Sequence, residues 1–490
     1  MQTIVIGAGV GGLGAALALS ADGHHVTIIE RDSTPLPADP NGAFAWDRRG
    51  APQVRHSHAF LARLRNLLRD RHPEVLAELL AAGATEMDFI EMLPDGLDRT
   101  RQPGDEDLVA LACRRTTFEW VLRRAVLADE RVELRDGSVV VGLAGDAAND
   151  GRPARVRGVV LDDGTELGAD LVVAANGRRS SLPAMLEPLG VDIVETTEDT
   201  GIIYFSRFFT LRDGEDWPVQ NGPIGGDLGY LKYGVFQGDN RTFSITLAVR
   251  TDDALLRAQV LHPEVFLDIA AQIPATASYV DGRAEPITGV EVMAKLLNRR
   301  RRFSSDDGAV FVDGFVAVGD AHTCTNPLYG RGCSLAMVQA QLLADALAAH
   351  PDDRLAAIIE YEAASTREVL PWYRASVAQD AANRAEAAGA GRDVDGSAAV
   401  DVEAGAGPAA GIDPTDMRAL LRDGLMPAMR VDPVVIRAFL RMFNLLEPPD
   451  SLLSNWDVIG RVMQAYQERD QRPPEPELGP GRDALMAALG

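Results

Sequence analysis

Lysine is almost missing from this chain. Lys232 and Lys295 are the only two, against 46 arginines. Cysteine is nearly as scarce. Cys113, Cys324 and Cys333 are too few and too scattered for a disulfide framework or a zinc site, so no metal is expected and a reducing cytoplasm fits. No apolar run reaches the 18 residues of a membrane span. The opening residues read as a strand, without the basic flank and apolar core of a signal peptide. Positive charge is also short. Against 72 acidic residues stand 48 basic ones, and the net charge of −24 disfavours nucleic acid and anionic membrane as partners. The one basic run, Arg299 to Arg302, reads as a solvated edge.

What is present is globular. The 490 residues are 46% hydrophobic and 24% charged, which suits two or three domains. The chain begins MQTIVIGAGVGGLGAALALSADGHHVTIIERD. Thr3 to Ile6 is a β-branched run of the kind found in buried parallel strands. Gly7, Gly9 and Gly12 then fit G-x-G-x-x-G. Gly7 permits a tight turn, Gly9 lets a pyrophosphate approach the backbone, and Gly12 lets the next helix pack on the strand. Leu13 to Ser20 is a good helix former, and Gly23 ends it. Val26 to Ile29 is a second buried strand with Glu30 at its end, 18 residues after Gly12, where a carboxylate can accept bonds from a ribose. These features predict a dinucleotide site without deciding between FAD and NAD.

Further along, the pattern predicts a helix from about His58, another from Pro73 to Gly83, and a third from Arg115 to Leu127. Residues 131–175 read as short strands, ending in Leu171 to Ala175 and then Asn176-Gly177-Arg178. Ile202 to Thr210, Gly229 to Gln237 and Thr242 to Arg250 alternate and are rich in aromatic and β-branched residues, which predicts an antiparallel sheet. The first texture returns with strands at Ala309 to Val312 and Phe315 to Val318 and a helix at Leu335 to Leu347. The remainder is helical, broken near 387–412 by an Ala/Gly/Asp-rich segment that reads as a flexible loop or linker.

The stretch GFVAVGDAHTCTNPLYGRGCSLAMVQAQLLADAL carries the second signal. A strand delivers Asp320, whose carboxylate can bind a polyol hydroxyl. Pro327, Gly330 and Gly332 form a stiff, open loop before a helix, so N–H groups and the helix dipole would face an electron-rich ligand edge. Reduced flavin is anionic on one edge, and this device suits it. No second G-x-G-x-x-G follows a strand, so a separate nicotinamide domain is not expected.

These motifs together resemble the FAD-dependent class A flavoprotein monooxygenases, whose relatives include aromatic hydroxylases, squalene-type and polyether epoxidases, halogenases and geranylgeranyl reductases. The resemblance covers residues 1–350. It implies an α/β fold: a discontinuous Rossmann-like FAD-binding domain (1–195 and 296–355), an inserted antiparallel-sheet substrate domain (196–295) and a helical C-terminal region (356–490). It implies that Gly7, Gly9 and Gly12 hold the FAD pyrophosphate, Glu30 the adenosine ribose with Arg31 beside it, and Asp320 the ribityl or pyrophosphate region. It also implies that Pro327, Gly330 and Gly332 face the isoalloxazine, and that Arg115 and Arg49 contact the cofactor. His56 and His58, in QVRHSHAF, fall near the flavin and could assist proton transfer. Phe205, Arg207 and Phe209 on one side of their strand, with Tyr204 and Phe208 on the other, suggest a bulky apolar substrate, with the first three as its candidate pocket.

One departure touches the electron donor. The family's middle motif carries Asp-Gly where this chain has Asn176-Gly177, which keeps the turn and removes a charge. NADPH or NADH is the expected transient donor, and a separate flavin reductase is the alternative. The chemistry implied is epoxidation or hydroxylation with dioxygen through a flavin C4a-hydroperoxide, of the kind met in secondary metabolism. An alkene reductase and a flavin-binding protein without turnover are the other readings. Halogenation is disfavoured, because no lysine precedes Lys232 and no W-x-W-x-I-P segment occurs.

Overall fold

The computed structural model describes residues 1–149, 151–220, 224–387, 417, 419–472 and 477–489. The flexible segment expected near 387–412 lies, but for Ala387, outside the described residues. The strands that position the site are β1 (Gln2–Ile6), β2 (His25–Ile29), β3 (Val132–Arg135), β4 (Leu171–Ala174), β5 (Ile202–Leu211), β6 (Leu231–Gln237), β7 (Thr242–Arg250), β8 (Leu297–Arg302) and β9 (Phe315–Ala317). The helices are α1 (Val10–Ala21), α2 (Arg115–Leu127), α3 (Gly332–Ala349) and α4 (Arg354–Ala387).

A parallel sheet in the order β9-β4-β1-β2-β3 is the centre of the molecule. Its strands are apolar along their length because both faces are covered. Val5, Val173 and Val316 point into a core shared with α1 and α3. Ile4, Ile6, Val172 and Ala174 point the other way, into a core shared with the antiparallel strands Val140–Asp146 and Ala154–Leu161. The strand expected at Ala309 to Val312 is shorter and later, at Val312–Asp313. By length and mean hydropathy α3 could cross a membrane, but two-thirds of it is buried here, and it packs on α1 and α4.

The second sheet is antiparallel and centred on β6-β7-β5, with short strands at both edges. Phe205, Phe209, Phe243 and Leu247 point to one side and form a core with the helix Pro263–Gln272 through Phe266 and Ile269. Between the two sheets lies a small antiparallel one made of Val194–Asp199, β8 and Thr323–Cys324.

The arginine run of β8 is not a solvated edge. Arg301 is 1% exposed. Its guanidinium donates to Ser180 Oγ at 2.7 Å, to the Ser180 carbonyl at 3.1 Å, to the Ala321 carbonyl at 2.9 Å and to Glu195 at 2.8 Å. Arginine is tolerated there because each of its three nitrogens reaches an acceptor. It braces the loop after β4 against the turn after β9.

A second buried pair fixes the antiparallel sheet to α2. Asp239 is fully buried and accepts from the Arg114 N–H at 2.7 Å, from Arg114 Nη2 at 2.6 Å and from Thr117 Oγ1 at 2.9 Å. Burial alone would raise its pKa, but the Arg114 bonds outweigh that and hold the carboxyl below its ordinary value. Asp239→Ala is expected to destabilise the protein by about 3–5 kcal/mol, because it strands a buried guanidinium. The urea-unfolding midpoint at pH 7 checks this, and a midpoint equal to that of the parent refutes it.

Candidate functional site

The site forms where the parallel strands end. Gly7 follows β1 with φ +101°, and a Cβ there would meet the Ala175 carbonyl at 2.9 Å. A Cβ on Gly12 would lie 1.9 Å from the Gly7 carbonyl, so only glycine allows α1 to start against this turn. Gly9 differs: a Cβ there would meet nothing within 4 Å. Its open side, with the free N–H groups of α1 beyond, is a cradle for an anion. On the other side of the cleft, a Cβ on Gly332 would have only Asp320 Oδ1 nearby, at 4.0 Å. Gly330 sits at φ +65° against Ala59.

Charged side chains run beneath this cleft. Glu30, at the end of β2, is buried and accepts from the Ala8 N–H at 2.7 Å and the Asp32 N–H at 3.0 Å. Arg48 Nη2 lies 3.7 Å from Glu30 and donates to the Ala8 carbonyl at 2.9 Å, while Arg48 Nε lies 3.4 Å from Glu119. Glu119 accepts from Arg115 Nε at 2.7 Å. Arg115 Nη1 meets His58 Nε2 at 3.0 Å. Asp320 is half-buried at the turn after β9. Burial raises its pKa, against the pull of Arg115 and Arg178. The structure thus brings Gly7, Gly9, Gly12, Glu30, Arg115, His58, Asp320, Gly330 and Gly332 around one cleft.

Two of the sequence-expected residues stand apart. Arg49 is exposed and pairs with Asp47. Arg31 is exposed and donates to the Gly50 carbonyl at 3.2 Å. The arginine of this loop that faces the cleft is Arg48, and spacing cannot separate two adjacent arginines. Only packing does: Arg48 lies over the Trp46 ring at 4.7 Å, with Arg123 at 5.3 Å from the same ring.

Several buried polar atoms here have no hydrogen-bond partner among the described residues. They are Arg48 Nε and Nη1, Arg123 Nε and Nη1, and Asn176 Oδ1. Orphaned donors of this kind, beside an open glycine cradle and a buried acid, fit a large polyanionic cofactor such as FAD.

The expected substrate pocket of Phe205, Arg207 and Phe209 is on the wrong face. Phe205 and Phe209 lie in the core under the helix Pro263–Gln272, and Arg207 donates to the Pro263 carbonyl at 2.8 Å and the Thr288 carbonyl at 3.1 Å. The strand alternates, so its other face turns to the cleft. Tyr204 OH donates to Asn326 at 3.0 Å, Ser206 bonds His56 at 3.2 Å, and Phe208 meets Phe44 edge-on at 5.4 Å. Ser206 also bonds Thr246 at 2.8 Å, and Ser57 bonds Thr246 and Ser244 at 2.6 and 2.7 Å. A narrow cavity lies here, lined by His56, His58, Arg115, Phe208, Phe236 and Ser244 among others.

Both histidines are held neutral. Burial, reinforced by Arg178, lowers His56 to about 4. Burial and Arg115 hold His58 well below its usual value. His58 Nδ1 faces the His56 carbonyl at 2.8 Å and so carries the proton, leaving Nε2 to accept from Arg115.

Residues 5–36 match the NAD(P)-binding Rossmann-like domain model. Protein Rv3254 of Mycobacterium tuberculosis is 30% identical over 377 residues, covering 71% of this chain and 73% of that protein. The chain belongs to the same family as Rv3254. Zeaxanthin epoxidase of Oryza sativa is 30% identical over 194 residues, 38% of this chain and 26% of the relative. The fold resembles pqsL, described as a probable FAD-dependent monooxygenase from Pseudomonas aeruginosa, with TM-score 0.54 at 17% identity over 79% of this chain and 96% of that one. The parallel Rossmann-like sheet, the antiparallel sheets and the helical C-terminal region match the fold class expected from the sequence.

The neutral histidines give a pH prediction. Between pH 6.5 and about 4 the unfolded chain binds a proton at His56 that the folded chain refuses, so stability rises with pH across that window. His56→Gln should flatten the difference in denaturation midpoint between pH 5 and pH 7. An unchanged slope would place the titration elsewhere.

Proposed function

We propose that this protein is an FAD-dependent monooxygenase, an epoxidase or hydroxylase, that adds one oxygen atom to an alkene or electron-rich ring of a bulky, largely apolar substrate. The observation that carries the reading is the open side of Gly9 at the start of α1, with buried Glu30 and the unsatisfied guanidinium nitrogens of Arg48 and Arg123 beside it. Bound flavin would supply the two-electron activation of dioxygen, which amino-acid side chains cannot perform. NADPH or NADH is the proposed donor of those electrons, with one oxygen atom passing to the substrate and the other leaving as water. A partner flavin reductase is the alternative source. A cytoplasmic location suits the three buried, unpaired cysteines.

Each residue group has a distinct task in this reading. Glu30 accepts from ribose hydroxyls while its second oxygen holds the glycine turn. The α1 N-terminus, Arg48 and Arg115 receive the phosphates. Asp320 binds the ribityl chain. The loop from Pro327 to Gly332 and the dipole of α3 favour negative charge on the ring edge. His56 and His58, neutral at pH 7, add no charge to the cavity at rest and can relay a proton by releasing one from a ring nitrogen as the other nitrogen accepts. Phe44, Phe208 and Phe236 keep water from the reacting centre, as oxygen transfer requires.

Purified protein is expected to be yellow and to release free FAD on acid denaturation. Arg48→Met and Asp320→Ala should each weaken FAD binding roughly ten- to a hundredfold, the worth of about 1.5–3 kcal/mol for a charge-assisted bond, while Arg49→Met changes it little. Equal FAD affinity in all three variants would displace the site. Turnover under labelled dioxygen should put label into product. Anaerobic saturation of an alkene with no label ever incorporated would make the protein a reductase instead.

A further inference from the structure

The loop assigned to the flavin does not hold its own shape. Asn326, which opens it, is fully buried and uses all of its polar atoms. Its N–H donates to Asn298 Oδ1 on β8 at 2.7 Å. Its side-chain oxygen accepts from the Leu328 N–H and from Tyr204 OH, both at 3.0 Å. Its side-chain nitrogen donates to Asp380 Oδ1 at 2.8 Å. Tyr329 OH donates to the same oxygen at 3.0 Å, and Asn298 Nδ2 donates to Asp380 Oδ2 at 2.7 Å. Asp380 is 2% exposed and lies on α4, beyond the part of the chain that carries the cofactor motifs. One carboxylate therefore gathers three donors, two of them from the loop and one from the strand behind it, and the asparagine it orients also receives the substrate-side sheet through Tyr204.

We propose that Asp380 is a positioning residue for the cofactor. Through Asn326 and Tyr329 it sets the direction in which the Pro327 to Gly332 backbone presents its N–H groups, and through Tyr204 the same junction ties that loop to the sheet that faces the substrate. The proposal rests on the reading of this loop as the flavin's. It does not need Asp380 to touch the ring. Asp380 acts by accepting only, and an amide in its place must turn an NH2 group toward one set of donors, releasing either Asn298 or the loop. A loosened loop stabilises the anionic reduced ring less, so reduction becomes harder. Loss of a nearby negative charge acts in the opposite direction and makes reduction easier. The sign of the change therefore separates positioning from simple electrostatics, and a purely structural residue would produce no change.

The experiment is the two-electron midpoint potential of FAD-loaded D380N beside FAD-loaded parent, by dye equilibration at pH 7. The expected result is a tenfold loss of preference for reduced over oxidised FAD, a potential about 30 mV lower, with a changed visible flavin spectrum. Tyr329→Phe removes one bond and no charge. It should shift the potential the same way by a smaller amount, and it stands alone if D380N does not fold. An unchanged or raised potential in D380N, or an unchanged one in Tyr329→Phe where only that variant folds, overturns the proposal. A parent protein that takes up no FAD overturns the site reading itself and this proposal with it.

Discussion

A chain of alternating buried charges underlies the cleft: Glu30, Arg48, Glu119, Arg115. Burying any one of these groups alone would be prohibitive, since an isolated ion in the interior costs several kcal/mol after relaxation. Together they are tolerable because each charge lies within 4 Å of one of opposite sign. The chain also joins parts distant in sequence. Glu30 ends β2, Arg48 sits in the loop that follows, and Glu119 and Arg115 share the first turns of α2. The glycine turn hangs from the same chain, because Glu30 accepts from the Ala8 N–H and Arg48 donates to the Ala8 carbonyl.

This arrangement explains how a protein of net charge −24 can present unsatisfied guanidinium donors beside the glycine turn. Arg48, Arg115, Arg123 and Arg178 gather with Glu30, Asp32, Glu119 and Asp320 near the glycine turn, and several nitrogens of Arg48 and Arg123 have no hydrogen-bond partner among the described residues, which leaves a surplus of donors. The surplus is held in place by burial and stacking on Trp46 rather than by surface ion pairs. Arg301 does comparable work nearby without facing the cleft, joining the loop after β4 to the turn that carries Asp320.

The parts of the fold legible in the sequence were those where local chemistry decides the outcome. The run Thr3 to Ile6, the glycine spacing and the terminal acid Glu30 need only strand sterics, a tight turn and a helix start. Arg115 at the first position of α2 could be placed for the same reason, whereas α3 starts at Gly332, three residues before the expected Leu335. What was not legible depends on long-range packing. Whether Arg48 or Arg49 turns inward is settled by Trp46 and α2, not by the loop. The Arg299 to Arg302 run reads as solvated because arginine is usually exposed, yet β8 lies between two other strands. Asp380 carries no motif and acquires its meaning only when α4 folds back over the loop before α3.

The orientation of β5 shows the same limit in its sharpest form. Its aromatic residues occupy both faces, so alternation could not say which face meets the cofactor, and a strand's period of two makes the choice all or nothing. The structure puts the larger apolar set, Phe205 and Phe209, into the sheet's own core, and leaves Tyr204, Ser206 and Phe208 for the cleft. That face is mixed, with an aromatic wall above a floor of Ser206, Thr246, Ser57 and Ser244. A hydroxyl both donates and accepts, so this floor can satisfy itself when the cavity is narrow and redirect one hydrogen when a ligand group arrives. It avoids the penalty of an orphaned polar atom in either state. Next to two neutral histidines, such a floor adds no charge to a cavity that Arg114 and Arg115 also line, and leaves it able to hydrogen-bond.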